Sequence, residues 1–173
     1  MAYSVDDINI YIINYAYETK RSVTNLKLQK ILYFLYGFYH STTKNVLFDE
    51  DFEAWAYGPV VRESYINYSM YGAEIIPPHN NYLDLLFDEK SKYDRDYNSN
   101  YFDIIFDSNT KTLINKVLNL LLDIPVMKLV ELSHSNIGPW YSCYEEGRKN
   151  IIDKRLIFEY FDNFSNGAIK WKR

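Results

Sequence analysis

Two side chains in the C-terminal third have the types that nucleophilic chemistry needs. Cys143 and His134 lie nine residues apart, and a thiolate beside an imidazole can attack an electrophilic centre. One cysteine with a histidine nearby is also what chance supplies, and His134 reads more simply as a side chain bonding backbone at a helix end. His40, His79 and His134 do not share a metal-ligand spacing such as i, i+4, and with a single cysteine no zinc site is expected. Asp49-Glu50-Asp51 and Glu145-Glu146 offer carboxylates. Adjacent acids point in different directions on a regular element, so both sets read as solvated. Lys27 and Lys30 are suited to an anion near a helix start, and Lys170, Lys172 and Arg173 around Trp171 to nucleic acid. Both sets read as ordinary solvated charge. No Gly-rich phosphate loop, Gly-x-Ser-x-Gly elbow or dinucleotide fingerprint occurs. The expectation is a protein with no catalytic residues, no metal and no cofactor.

The composition narrows the class. The chain has 173 residues, of which 47% are hydrophobic and 24% charged, enough for one packed core. A net charge of −4 argues against a basic nucleic-acid surface. A lone cysteine suits a reducing compartment. Neither a long apolar run nor a basic-then-apolar leader is present, so a cytoplasmic protein is expected, without membrane contact. The 18 tyrosines and 10 phenylalanines suit a sticky contact surface. They also suit AT-rich codon usage, as in a low-GC bacterium, its phages or mobile elements.

The elements that would position these residues are mostly helical. Ser4 caps a helix carrying Ile8, Tyr11, Ile12 and Tyr15 and ending near 19–21. Thr24-Asn25 caps a second, in which nearly every residue from Ile31 to Tyr39 is apolar or aromatic. Such a helix is central, covered on several sides. Gly37 invites a close neighbour. Phe52 to Tyr57 alternates as a short extended run. Gly58-Pro59 then reads as a turn and helix start, with Val61, Tyr65 and Tyr68 on the inner face of a third helix reaching Met70 or Tyr71. Ile104-Ile105-Phe106 reads as a weak strand or a return to the core. Further helices follow Ser108, Pro125, Pro139 and Asp153, the last with Leu156, Tyr160, Phe161 and Phe164 inward. Trp55, Trp140, Tyr33 and Tyr57 read as core or near-core aromatics. The fold class is mostly α: a compact single-domain bundle of about six or seven helices, with a short strand or strand pair around Phe52–Tyr57.

Three blocks, in order, resemble the SocA-like antitoxins, also called the Panacea domain. The first is Leu26-Lys27-Leu28-Gln29-Lys30-Ile31-Leu32-Tyr33-Phe34. The second is Phe52-Glu53-Ala54-Trp55-Ala56-Tyr57-Gly58-Pro59-Val60. The third is Leu129-Val130-Glu131-Leu132-Ser133-His134, followed by Pro139-Trp140. The resemblance covers nearly all of residues 1–173. It implies a bacterial or phage-encoded cytoplasmic protein that performs no reaction and neutralises a partner toxin by direct contact, in some members as an adaptor to a cellular protease. It also implies that Lys27, Gln29, Lys30, Tyr33, Phe52, Glu53, Trp55, Gly58, Pro59, His134, Pro139 and Trp140 are family motif residues, mainly structural. Relatives with an added DNA-binding region differ from this chain, which has no room for one. The alternative is a phage or mobile-element protein that inhibits a host factor or defence system.

The segment 79–107 lies outside the motif pattern. It carries seven acidic residues against three basic ones. Such a segment either steers and anchors a basic partner or is a solvated loop. As a contact surface, its candidate residues are Tyr82, Tyr93, Tyr97 and Tyr101.

Overall fold

The computed structural model describes residues 2–79 and 101–167. The elements run α1 Val5–Glu18, α2 Asn25–Thr43, β1 Phe52–Trp55, β2 Gly58–Val61, α3 Arg62–Asn67, a 3₁₀ turn Ser69–Tyr71, α4 Tyr101–Ile105, α5 Ser108–Leu121, α6 Val126–Ser133, α7 Pro139–Cys143, β3 Ile151–Ile152 and α8 Lys154–Ser165. The expected mostly α architecture is present. It has eight helices among the described residues, five of them seven residues or longer.

Local chemistry sets the helix starts. Ser4 Oγ accepts from Asp6 N at 3.3 Å, and Thr24 Oγ1 accepts from Lys27 N at 3.3 Å. Asp107 takes the amides of Asn109 and Thr110, both at 3.0 Å. Asp153 takes that of Arg155 at 2.9 Å. Each satisfies a donor that the first helical turn leaves open.

Helix α2 is the axis of the fold. It packs on α8, β2, α5 and α6, with α1 alongside, and Leu28, Ile31, Leu32, Tyr33, Phe34, Leu35 and Tyr36 are all buried. Gly37 has the predicted close neighbour: a methyl group there would overlap the ring of Phe161. That ring lies edge-on to Tyr33, Phe34 and Phe38. The loop after α2 returns Leu47 and Phe48 to the core.

The sheet is antiparallel with order β2-β1-β3. Phe52 pairs with Val61 on one side and Ile152 on the other, and Trp55 pairs with Gly58 across the two-residue turn Ala56-Tyr57. The alternation read along Phe52–Trp55 holds: Phe52 and Ala54 are buried, while Glu53 and Trp55 are half-buried.

Several expectations need correction. Pro59 does not begin a helix. It lies in β2, an outer strand, where a missing N–H is tolerated, and α3 starts only at Arg62 and stops at Asn67. The turn precedes Gly58 because the hairpin closes there. Ile104 and Ile105 are helical, not extended; the return to the core is made by Phe102 and Phe106. In α8, Ile157 is buried and Leu156 faces out, a shift of one position. Tyr57 is 61% exposed at the hairpin tip and is no core residue.

Candidate functional site

The motif residues converge on the corner where β2 leaves the hairpin. Lys30 is fully buried, and its Nζ donates to Pro59 O at 2.7 Å. It lies on one helix stripe with Phe34 and Gly37, at i+4 and i+7, so its stem points into the core. Gly58 makes this approach possible. Its φ is +98°, and a Cβ there would lie 2.7 Å from Lys30 Nζ and overlap Ser133 Oγ. Ser133 is itself buried and donates to Val130 O at 2.8 Å.

Gln29, one position earlier, joins four elements. Its Nε2 donates to Asn25 Oδ1 at 3.2 Å and to Ser64 Oγ at 3.0 Å. Its Oε1 accepts from Val61 N at 3.1 Å. Ser64 Oγ donates onward to Asn9 Oδ1 at 3.0 Å. The chain of bonds runs from α2 to β2, α3 and α1, all beneath the surface, where an unmet polar group is costly.

The third block closes the other side. Trp140 is buried, and its Nε1 donates to Trp55 O at 2.8 Å. Its ring stacks on His134 at 3.8 Å and on Tyr144 at 4.5 Å. Pro139 is the first residue of α7 and positions this indole. Trp55 donates its own Nε1 to Glu53 Oε2 at 2.7 Å, with Lys149 Nζ 4.0 Å above its ring. Tyr33 and Phe52 meet edge-to-face at 5.7 Å.

Neither lysine is solvated charge as expected. Burial holds the Lys30 amine well below its usual 10.5, and among the described residues no carboxylate forms an ion pair with it. Lys27 is half-buried, and its Nζ donates to Leu122 O at 2.6 Å, at the end of α5. Burial lowers its pKa first, against the pull of Asp123. A lysine buried this deeply has a pH signature. Between its lowered folded value and the unfolded 10.5, folding releases a proton, so stability rises with pH and levels off at 10.5. As pH falls from 10 toward 8, the wild type is expected to lose stability relative to Lys30→Met, by up to about 1.4 kcal/mol per pH unit. Urea unfolding at several pH values measures this, and a pH-independent difference would contradict it.

Lys30 is closed off from solvent. His134 Nε2 is buried with no hydrogen-bond partner, so the expected bond from this ring to backbone is not made by Nε2; the stack on Trp140 holds the ring instead. Burial, then Lys30, lowers the His134 pKa. Cys143 Sγ lies 3.7 Å from Ser142 Oγ, and no hydrogen bond joins it to His134. Among the described residues no group of three or more His, Cys, Asp or Glu is placed to hold a metal ion.

Of the tyrosines proposed for a partner, Tyr101 is half-buried and its hydroxyl donates to Asp7 Oδ1 at 3.0 Å. Tyr82, Tyr93 and Tyr97 lie outside the described residues, as do Lys170, Trp171, Lys172 and Arg173. Asn9 and Ser64 are buried polar residues with no signal in the sequence, and Asn25 and Ser133, a cap residue and a motif residue, are buried too. The spacing of Asn25 and Gln29, i and i+4 on a helix otherwise apolar, was the available signal. Among the described residues no helix is long and apolar enough to cross a membrane.

Searches of curated proteins and of solved structures gave no match. A family model, described as antitoxin SocA-like, Panacea domain, matches residues 28–141. That span begins in α2, takes in the whole hairpin and ends inside α7, so it encloses the Lys30, Gly58 and Trp140 corner. With more than half of its length matched and its motif residues assembled around one buried joint, the chain belongs to the antitoxin SocA-like, Panacea domain family.

Proposed function

We propose that this protein is an antitoxin that neutralises a partner toxin by direct protein–protein contact, as one domain spanning residues 1–173 with a variable acidic, tyrosine-rich segment at 79–107. The observation that carries the reading is the family match across residues 28–141. The corner adds support: the motif side chains bond to one another and to backbone, which leaves recognition to the outer surface. In this reading the toxin is blocked sterically, and handover to a protease is an added step that some partners would undergo.

The test is co-expression with the product of the neighbouring gene. Growth arrest by that product alone, relieved by this protein, together with co-purification of the pair, is the expected result. A neighbour that is neither toxic nor bound would overturn the reading.

A further inference from the structure

A groove of about 440 Å³ lies between α3 and the outer face of the sheet. One wall carries Glu50, Asp51 and Glu53. The other carries Arg62, Glu63 and Ile66, and Ile151 of β3 stands across from Glu53 in the strand register. Ile66 is 54% exposed and Ile151 62% exposed, so two aliphatic side chains face solvent inside an acidic frame. Four carboxylates line it, against Arg62 and the Lys154 amine that Asp51 holds.

Their partners among the described residues are few. Asp51 is paired with Lys154 at 3.1 Å, and Glu53 accepts the Trp55 indole. Among the described residues Glu63 has neither an ion pair nor a side-chain hydrogen bond. Glu50 Oε2 is shut off from solvent with no hydrogen-bond partner, contrary to the solvated role its sequence context implies. Burial raises the Glu50 pKa; backbone donors of Glu50 and Val5 pull it down, and Glu63 and Asp6 push it up. Glu50 is therefore part of the wall, and the exposed, unpaired Glu63 carboxylate beside Ile66 and Ile151 is what suits an incoming cation on an apolar stem.

We propose that this groove is where the neutralised partner docks, through a segment in which Lys or Arg residues flank an aliphatic side chain. The inference rests on the antitoxin reading for the partner's identity. The charge excludes a nucleic-acid backbone, and the exposed Ile66 and Ile151 give a basic segment something to bury that a simple counterion lacks.

The test titrates the full chain with an N-acetylated, C-amidated Gly-Lys-Arg-Leu-Lys-Arg-Gly peptide, followed by amide NMR shifts. Saturable binding below about 1 mM is expected, with shifts at Glu63, Ile66 and Ile151. Glu63→Lys and Ile66→Asp should each weaken it at least about tenfold, while Glu146→Lys, at an exposed position that does not line the groove, leaves it unchanged; both α3 variants alter exposed positions, and unchanged circular dichroism verifies their fold. Equal weakening by Glu146→Lys, binding of the all-Glu counterpart peptide, or shifts elsewhere would overturn the proposal. So would groove shifts that depend on protein concentration, which mark a second copy, or that follow substitution of Lys170, Lys172 and Arg173 by Ala, which mark the chain's own tail. Neutralisation of the neighbouring gene product that survives Glu63→Lys and Ile66→Asp sinks the groove and leaves the antitoxin reading standing. A non-toxic neighbour sinks that reading while the peptide result stands apart.

Discussion

Trp140→Ala is expected to lose about 3–5 kcal/mol of stability, the range for truncating a buried aromatic. The indole is only 7% exposed and fills the space between His134 and Tyr144. Its removal opens a cavity in that stack and deletes the hydrogen bond to the Trp55 carbonyl. Against a total of roughly 5–15 kcal/mol for a domain, the loss brings the protein close to unfolding at physiological temperature. Trp140→Phe separates the two contributions. It keeps most of the ring and lacks the N–H, so it should cost about 0.5–1.5 kcal/mol, the net worth of one hydrogen bond. Chemical denaturation monitored by far-ultraviolet circular dichroism distinguishes them; equal losses for Ala and Phe would show that packing contributes little.

The second large effect is at Gly58. Valine there meets two obstacles at once. A φ of +98° disfavours any L side chain, most of all a β-branched one, by about 1–2 kcal/mol. The new Cβ also collides with Ser133 Oγ and crowds Lys30 Nζ, and overpacking of this kind costs about 1–3 kcal/mol. The expected total is about 2–5 kcal/mol. Gly58→Ala combined with Ser133→Gly should recover only the steric part and keep the backbone part. Full recovery in that double variant would show that the positive φ carries no strain.

These two positions also show how far the sequence could be read. Thr24 and Asp153 were legible as caps, since capping depends on residue type and local spacing. The central place of α2 was legible from its almost unbroken apolar run. Lys30 was misread because a cation among polar neighbours normally faces water; only its stripe with Phe34 and Gly37 pointed inward, and what receives its amine, the Pro59 carbonyl, is 29 residues away. Pro59 was misread because proline suits both a first helical turn and an outer strand. The choice was made by pairing with β1, and β3 was missed for the same reason: two residues, Ile151-Ile152, become a strand only when Phe52 and Glu53 lie beside them. Glu50 reads as one of three solvated acids because its neighbours in sequence are acidic, whereas the fold buries one of its oxygens. Identity was legible because the motif blocks persist as sequence; the joint they build was visible only once α2, the hairpin and α7 met.

The joint separates two roles that a loss-of-function screen would confuse. Residues such as Gln29, Gly58 and Trp140 hold α2, the sheet and α7 in register, so their loss abolishes every activity by unfolding. Residues that choose a partner must lie where a partner can reach. A folded, stability-matched variant of the joint is therefore the informative reagent, and Lys30→Met is the mildest one because it keeps the stem and removes only the buried amine.

Calorimetric titration of the purified wild-type and Lys30→Met proteins with the product of the neighbouring gene tests the central claim most directly. The account predicts a saturable complex whose affinity is the same for both proteins. It is contradicted if the wild type shows no binding, or if Lys30→Met unfolds like the wild type yet no longer binds.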